Sequence, residues 1–316
     1  MAKLAKLKSR CVPDLKSVLE EFLLFKAGDG ASRRTLKDYR YHVESFLASL
    51  PSSQEDYEVL RKAAVLYLAQ PVSAATRNIR LRYLKAFFNW CVSQGYLPAS
   101  PVAGLKQSKE DLAAIRHVSL EDVKKLLDAV DRKSFAGLRD YCVILLQLDT
   151  GIRPGELFQL RVKDVNLQSR EVYVPPAASK TRVGRTLVIS EFTARALRTF
   201  LQTRPGWWPE EVPLFPSENG KPLDSLFWSK RLAKHSRKAG VRVTPYGLRH
   251  SFAIEFLKEA NDPFALQRIL GHQDLAMTRR YVRYLQEDIR EAHEKASPVT
   301  RLAQLGKRAP RNFHQQ

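Results

Sequence analysis

The chain has 316 residues, 44% of them hydrophobic, which suffices for two domains with their own cores, and no apolar run reaches the roughly 20 residues that cross a bilayer. Its formal net charge is +20, a balance that points to a polyanion, nucleic acid before any other, and says little about fold. The basic start MAKLAKLKSR lacks the apolar core of an export signal, and Cys11, Cys91 and Cys142 are odd in number and lack metal-ligand spacing, so they read as reduced thiols of a cytosolic protein.

Residues 1–12 carry Lys3, Lys6, Lys8 and Arg10 without an acid and read as a flexible arm. Asp14 is placed to cap a helix with Leu15, Val18, Leu19 and Phe22 inward, and Gly28 and Gly30 break it. Ser32 caps a second helix, with Leu36, Tyr39, Val43, Phe46 and Leu50 inward and Arg33, Arg34, Lys37 and Arg40 outward. A third is expected over 53–68. A fourth, over 73–94, pairs the apolar stripe Ile79, Tyr83, Phe87, Phe88 and Cys91 with a cationic face of Arg77, Arg80 and Lys85, the candidate DNA contacts of this region. Gly95, Pro98 and Pro101 stop it. Four amphipathic helices predict a helical bundle over 13–104, followed by a polar linker over 105–116.

The helical pattern resumes at Ser119, with Leu120, Val123, Leu126, Leu127 and Val130 apolar. A more apolar helix over 135–148 reads as the centre of a second core, and it ends at TGIRPGEL, where Pro154 suits the first turn of a new helix and leaves Arg153 at the junction. Between Val162 and Ser190 the period changes to two: REVYV and RTLVIS flank a polar stretch with Lys180 and Gly184, the pattern of a small antiparallel sheet. Helices are expected over 191–202 and 225–239. The loop PGWWPEEVPLF between them has no readable role. Residues 297–316 are basic without an acid and read as a tail.

The chemistry concentrates in 243–284. Arg153 and Arg249 suit a forked grip on a phosphate that gains charge in a transition state, and Glu156 could orient Arg153. No acidic cluster of the kind that holds catalytic metal ions stands out, so arginines can take that task. His272 closes a Leu-Gly-His turn, and Tyr281 closes a Thr-x-x-Tyr. A phenol is a weak nucleophile at neutral pH, and nearby cations favour its ionisation. Tyr284, one turn further, is the rival.

TGIRPGEL, the Lys180 hairpin, TPYGLRHSFA, LGHQD and the Thr-x-x-Tyr stand in the order and spacing of the tyrosine recombinase (phage integrase) family, which the chain resembles over 117–296. The resemblance implies a mainly α fold with a small antiparallel β-sheet: a helical core-binding domain in front of a mixed α+β catalytic domain, together a C-shaped clamp on double-stranded DNA. It implies that Arg153 and Arg249 clamp the scissile phosphate and that Lys180 protonates the leaving 5′ oxygen. His272 then hydrogen-bonds the phosphate, and Tyr281 attacks to form a 3′-phosphotyrosyl link, without ATP or cofactor. One position departs: Tyr246 stands where the family usually has histidine, and a phenol donates a hydrogen bond but does not shuttle protons near neutral pH. His250 reads as structural support. By the same resemblance, a helix over 285–294 docks on a neighbouring protomer within a homo-tetramer, a directionality factor can assist, no membrane is involved and the setting is the cytoplasmic nucleoid. Two alternatives remain: topoisomerase-like DNA relaxation, and a catalytically weak DNA-binding regulator.

Overall fold

The computed structural model describes residues 14–50, 57–109, 117–179 and 181–284, with the isolated positions 293, 297–299 and 302; at 283 and 284 it describes the backbone alone. The chain divides into two compact units, residues 1–113 and 114–316. The arm over 1–12, the start of the third helix and the helix over 285–294 fall largely or wholly outside the described residues. No helix among the described residues is long and apolar enough to cross a membrane.

In the first unit, α1 (Leu15–Gly28) begins where the Asp14 carboxylate accepts from the backbone N–H of Lys16 and Ser17, satisfying donors that the first turn leaves unpaired. It buries Leu15, Val18, Leu19, Phe22 and Leu23. The Ser32 hydroxyl caps α2 (Arg33–Leu47), which adds Val43, Phe46 and Leu47 to the same core. α3 (Tyr57–Ala69) and α4 (Ala74–Ser93) complete the bundle. Its centre is aromatic: Phe22 meets Phe87 edge-on at 5.4 Å and Phe46 meets Phe88 at 5.6 Å.

α4 is rotated from the expected stripe. Leu81, Leu84, Phe87, Phe88 and Cys91 are buried, but Ile79 is 39% exposed. Asn78 takes the inward place because its amide donates to the Ser108 carbonyl at 3.0 Å and accepts from the Ser108 N–H at 2.8 Å. That exchange fastens the segment after the bundle to α4, and a helix turning 100° per residue then carries Ile79 outward. The same docking engages two candidate DNA contacts. Arg77 donates to the Lys106 carbonyl and the Ser108 hydroxyl, both at 3.0 Å. Arg80 donates to Gln70 Oε1 at 2.8 Å and lies 4.5 Å over the Tyr67 ring. Lys85 is half-buried.

The second unit is built on α6 (Phe135–Thr150), buried on nearly all sides, with Arg139, Asp140 and Gln147 covered along with its apolar residues. α5 (Leu120–Asp128) covers one side through Val123 and Leu126, while Leu120, expected inside, is exposed. The buried Asp140 of α6 accepts from Arg139, Arg231 and His235, the last two on α9 (Ser225–Lys238), tying the helices together. After α7 (Pro154–Leu157) come β1 (Val165–Asn166), β2 (Glu171–Val174) and β3 (Arg185–Val188), antiparallel in the order β1-β2-β3. Val172, Val174 and Leu187 point into the core, as the period of two requires. α8 (Glu191–Gln202), α10 (Pro245–Ala260), α11 (Pro263–Leu270) and α12 (Leu275–Tyr284) follow in chain order around α9.

The unread tryptophan loop is a core plug. Leu214 and Phe215 are buried, the Leu214 N–H donates to the Leu160 carbonyl at 2.7 Å, and Arg204 lies 5.1 Å over the Trp208 ring.

Candidate active site

The site forms where α11 stops. A helix leaves its last carbonyls without intrahelical donors and carries partial negative charge there. Here three arginines, far apart in sequence, each take one of three consecutive carbonyls. Arg185 donates to Ile269 at 2.9 Å, Arg249 to Leu270 at 3.0 Å and Arg153 to Gly271 at 3.2 Å. Arg249, buried on α10, also donates to the Gly151 carbonyl at 2.5 Å.

Gly151 ends α6 in the left-handed region at φ 62°, which an L side chain adopts only with strain. A Cβ there would stand 2.4 Å from Phe252 Cδ1 and 2.7 Å from Leu270 Cδ2. Gly151→Ala is therefore expected to cost about 3 kcal/mol, combining left-handed strain with overpacking. Urea unfolding measures it, and a loss below about 1 kcal/mol would mean that the site relaxes freely around the added methyl.

Glu156, 2% exposed in α7, sets two of the arginines. Its carboxylate accepts from Arg153 at 3.0 Å and from Arg185 at 2.6 Å, and it also receives the Arg153 backbone N–H at 3.3 Å. Burial alone would raise this carboxyl's pKa. The Arg185 and Arg153 guanidiniums reverse that and hold it below the usual range. One buried anion thus stands between two cations in fixed geometry.

Gly271 (φ 61°) turns the chain after α11 and presents His272. His272 Nε2 lies 3.1 Å from an Arg249 amino group and Nδ1 lies 2.8 Å from Thr278 Oγ1. Arginine only donates, so Nε2 accepts, and Nδ1 carries the proton given to Thr278. Thr278 is fully buried on α12, one turn before Tyr281, so the Thr-x-x-Tyr spacing orients an imidazole.

Tyr281 is 1% exposed, its ring parallel to His272 with centroids 6.4 Å apart and packed in a small apolar cluster with Ala253, Ile254, Leu257, Leu266 and Leu270. Its hydroxyl lies 2.8 Å from His250 Nδ1 and 3.4 Å from an Arg280 amino group. Tyr246 is 57% exposed in the first turn of α10, three residues before Arg249. Arg153, Arg249, His272 and Tyr281 therefore gather in one cluster with Glu156 and His250. Lys180 and the side chain of Tyr284 lie outside the described residues. Among the described residues no group of three His, Cys, Asp or Glu side chains is arranged to hold a metal ion.

The cluster is strongly cationic, and that sets its histidines. Burial, with Arg249 and Arg153 beside it, brings the His272 imidazole down to about 3; burial, with Arg280 and Arg249, brings His250 to about 4. Burial also lowers Arg249, to about 10, so it remains a cation at neutral pH. Unfolded histidine titrates near 6.5, so below that pH the unfolded chain binds protons that these two folded histidines refuse. Stability is thus full above about pH 6.5 and falls as pH drops toward the folded values. Urea midpoints of the second unit are expected to fall between about pH 7 and about pH 5, a window above most carboxylate titration, and less steeply in His272→Asn. A flat profile would mean that the imidazoles are not held neutral.

Residues 116–288, more than half of the chain, match the phage integrase family. The tyrosine recombinase XerC of Escherichia coli O139:H28 (strain E24377A / ETEC) is 30% identical over 294 residues, which cover 90% of this chain and 97% of the relative. The chain belongs to the phage integrase family. It is accordingly a DNA strand-transferring enzyme, a tyrosine recombinase in class. The fold agrees. The Tn1549 transposon integrase in complex with transposon right end DNA superposes with a TM-score of 0.71 at 18% identity, covering 91% of this chain and 98% of that one. A lambda integrase tetramer bound to a Holliday junction superposes with a TM-score of 0.66 at 19% identity, covering 84% and 76%. The mainly helical architecture with a small antiparallel sheet read from the sequence is the architecture of these integrases.

Within this phage integrase site, sequence reasoning missed two arginines. Arg185 carried a usable signal: it shares the inward phase of β3 with Leu187, two residues on, an unusual place for a cation without a partner. Arg280 carried none, since a basic residue on an amphipathic helix is ordinarily solvated.

Proposed function

We propose that this phage integrase family member is a site-specific recombinase that cuts and rejoins double-stranded DNA through a 3′-phosphotyrosyl intermediate. The observation that carries this reading is the convergence at the end of α11: Arg153 and Arg249 on adjacent carbonyls, His272 bonded to Arg249, and Tyr281 parallel to His272. Arg153 and Arg249 would grip the nonbridging oxygens of the scissile phosphate, positioned in advance by the carbonyls and by Glu156, so little reorganisation accompanies the transition state. His272 would donate to the same phosphate as its Nε2–H tautomer, released from Arg249, with the Thr278 hydroxyl then donating to Nδ1. Tyr281 would attack phosphorus, and Lys180 would supply the proton for the 5′ oxygen. Tyr246, exposed in the turn before Arg249, is free to donate a hydrogen bond to a phosphate oxygen. The assemblies of its structural neighbours, on DNA and as a tetramer at a Holliday junction, support the same partner and the same assembly for this chain. The net charge of +20 supports steeply salt-dependent DNA affinity.

The test is a suicide substrate, a duplex from the flanks of the element that encodes the chain, nicked so that cleavage releases a short fragment and traps the protein. A covalent adduct at one sequence is the expected result. Relaxation of supercoiled DNA without sequence preference would favour topoisomerase-like action, and binding without an adduct would favour a regulator.

A further inference from the structure

We infer that His250 is the proton acceptor for the Tyr281 hydroxyl, a catalytic part for an imidazole that the sequence marks only as a neighbour of Arg249. The inference rests on the reading of Tyr281 as nucleophile.

Tyr281 is 1% exposed, and the polar atoms beside its hydroxyl among the described residues are His250 Nδ1 at 2.8 Å and an Arg280 amino group at 3.4 Å. A guanidinium has donors and no acceptor, so it cannot receive the phenolic proton. Were Nδ1 protonated, it would donate to the phenolic oxygen, and the phenolic proton would then lack an acceptor in a buried place, which native structures avoid. Nδ1 is therefore the lone-pair nitrogen, and the phenol donates to it. The Arg280 amino group also stands 3.1 Å from Nδ1 and 3.2 Å from Nε2, and 4.9 Å over the Tyr281 ring; a guanidinium only donates, so its approach to Nδ1 agrees with a lone pair there.

The charged and titratable groups facing His250 are Arg280 and Tyr281 on α12 and Arg249 on its own helix. Burial, with the two cations beside it, keeps the imidazole neutral at rest, with its acceptor available at neutral pH. The incoming phosphate brings opposite charge and strengthens the base when it is needed. No other residue in the cluster fits this task. Tyr246 lacks a basic nitrogen, and the His272 nitrogens meet Arg249 and Thr278, whereas His250 Nδ1 meets the Tyr281 hydroxyl itself.

The Tyr281 Oη–phosphorus bond forms as the bond from phosphorus to the 5′ oxygen breaks. The phenolic proton passes to His250 Nδ1, and the 5′ oxygen takes a proton from the Lys180 ammonium. In religation the 5′ hydroxyl attacks, Lys180 recovers its proton and His250 returns its own to Tyr281.

The experiment compares the full chain with His250→Asn, whose side-chain oxygen can accept the same hydrogen bond but cannot carry the proton away, and with His250→Gln as a second variant. Single-turnover suicide cleavage is expected to slow about 100-fold or more in both, with DNA binding by mobility shift retained. For the unaltered protein, the rate is expected to rise with the ionisation of an imidazole and then level below the phenol range. In the variants it should climb with unit slope toward phenol ionisation. A substrate with sulfur in place of the bridging 5′ oxygen, a leaving group that needs no acid, should leave the deficit in place.

Cleavage by His250→Asn within about threefold of the parent would overturn the inference, as would rescue by the sulfur leaving group. A unit-slope climb in the unaltered protein would also overturn it, and this last measurement does not depend on any variant folding. If Tyr281→Phe still forms the adduct, the nucleophile reading itself has failed. If Tyr281→Phe is inert and His250→Asn is normal, only the present inference has failed.

Discussion

Tyr281→Phe is expected to eliminate the covalent protein–DNA adduct on a suicide substrate, while Tyr284→Phe leaves it. The change removes one oxygen. The ring keeps its packing against Ala253, Ile254 and Leu257 and its parallel alignment with His272, and the lost hydrogen bond to His250 costs about 1 kcal/mol of stability. A folded, DNA-binding protein without a nucleophile is therefore the expected product, and denaturing gels read it directly as loss of the shifted band. An adduct that survives in Tyr281→Phe and disappears in Tyr284→Phe would move the nucleophile one turn along the chain.

Glu156→Gln is expected to produce the largest loss of stability of any single change in the site. The carboxylate is 2% exposed and is the anion between two guanidiniums that are themselves mostly covered, Arg153 at 14% and Arg185 at 10% side-chain exposure. Removing one partner of a buried ion pair commonly costs about 3–5 kcal/mol, because the remaining charge stays desolvated without compensation. Here two charges are left. Their mutual repulsion then loosens the grip on the Ile269 and Gly271 carbonyls and displaces Arg153 from the place proposed for the phosphate. Misplacement of this kind costs about 100-fold in rate. Urea unfolding and single-turnover cleavage measure the two effects separately. A variant within about 1 kcal/mol of the parent would show that the carbonyls alone hold the arginines.

These two changes mark the limits of what could be read in advance. Tyr281 was legible because its neighbours in sequence are also its neighbours in space: the Gly271 turn, His272 and Thr278 lie within ten residues of it. The pairing of Glu156 with Arg153 was legible for the same reason, a separation of three residues on one short helix. Its pairing with Arg185 was not, since the two are 29 residues apart across the sheet. In the first unit, helix caps at Asp14 and Ser32 could be read from residue type and position. The rotation of α4 that buries Asn78 and exposes Ile79 could not, because it depends on the return of Ser108 from 30 residues away.

The sequence by itself determined the order of helices and strands, the left-handed turns at Gly151 and Gly271, the excess of positive charge and the spacing of the reactive side chains. These follow from local sterics, capping and periodicity, which act over a few residues. Tertiary structure alone decided which partner each charge would have. Three arginines share the end of α11, Glu156 stands between two of them, Thr278 sets the proton on His272, and His250 meets the Tyr281 hydroxyl. Such partnerships arise only when distant segments bury polar groups together, because a buried donor or acceptor must find its complement wherever the fold supplies one.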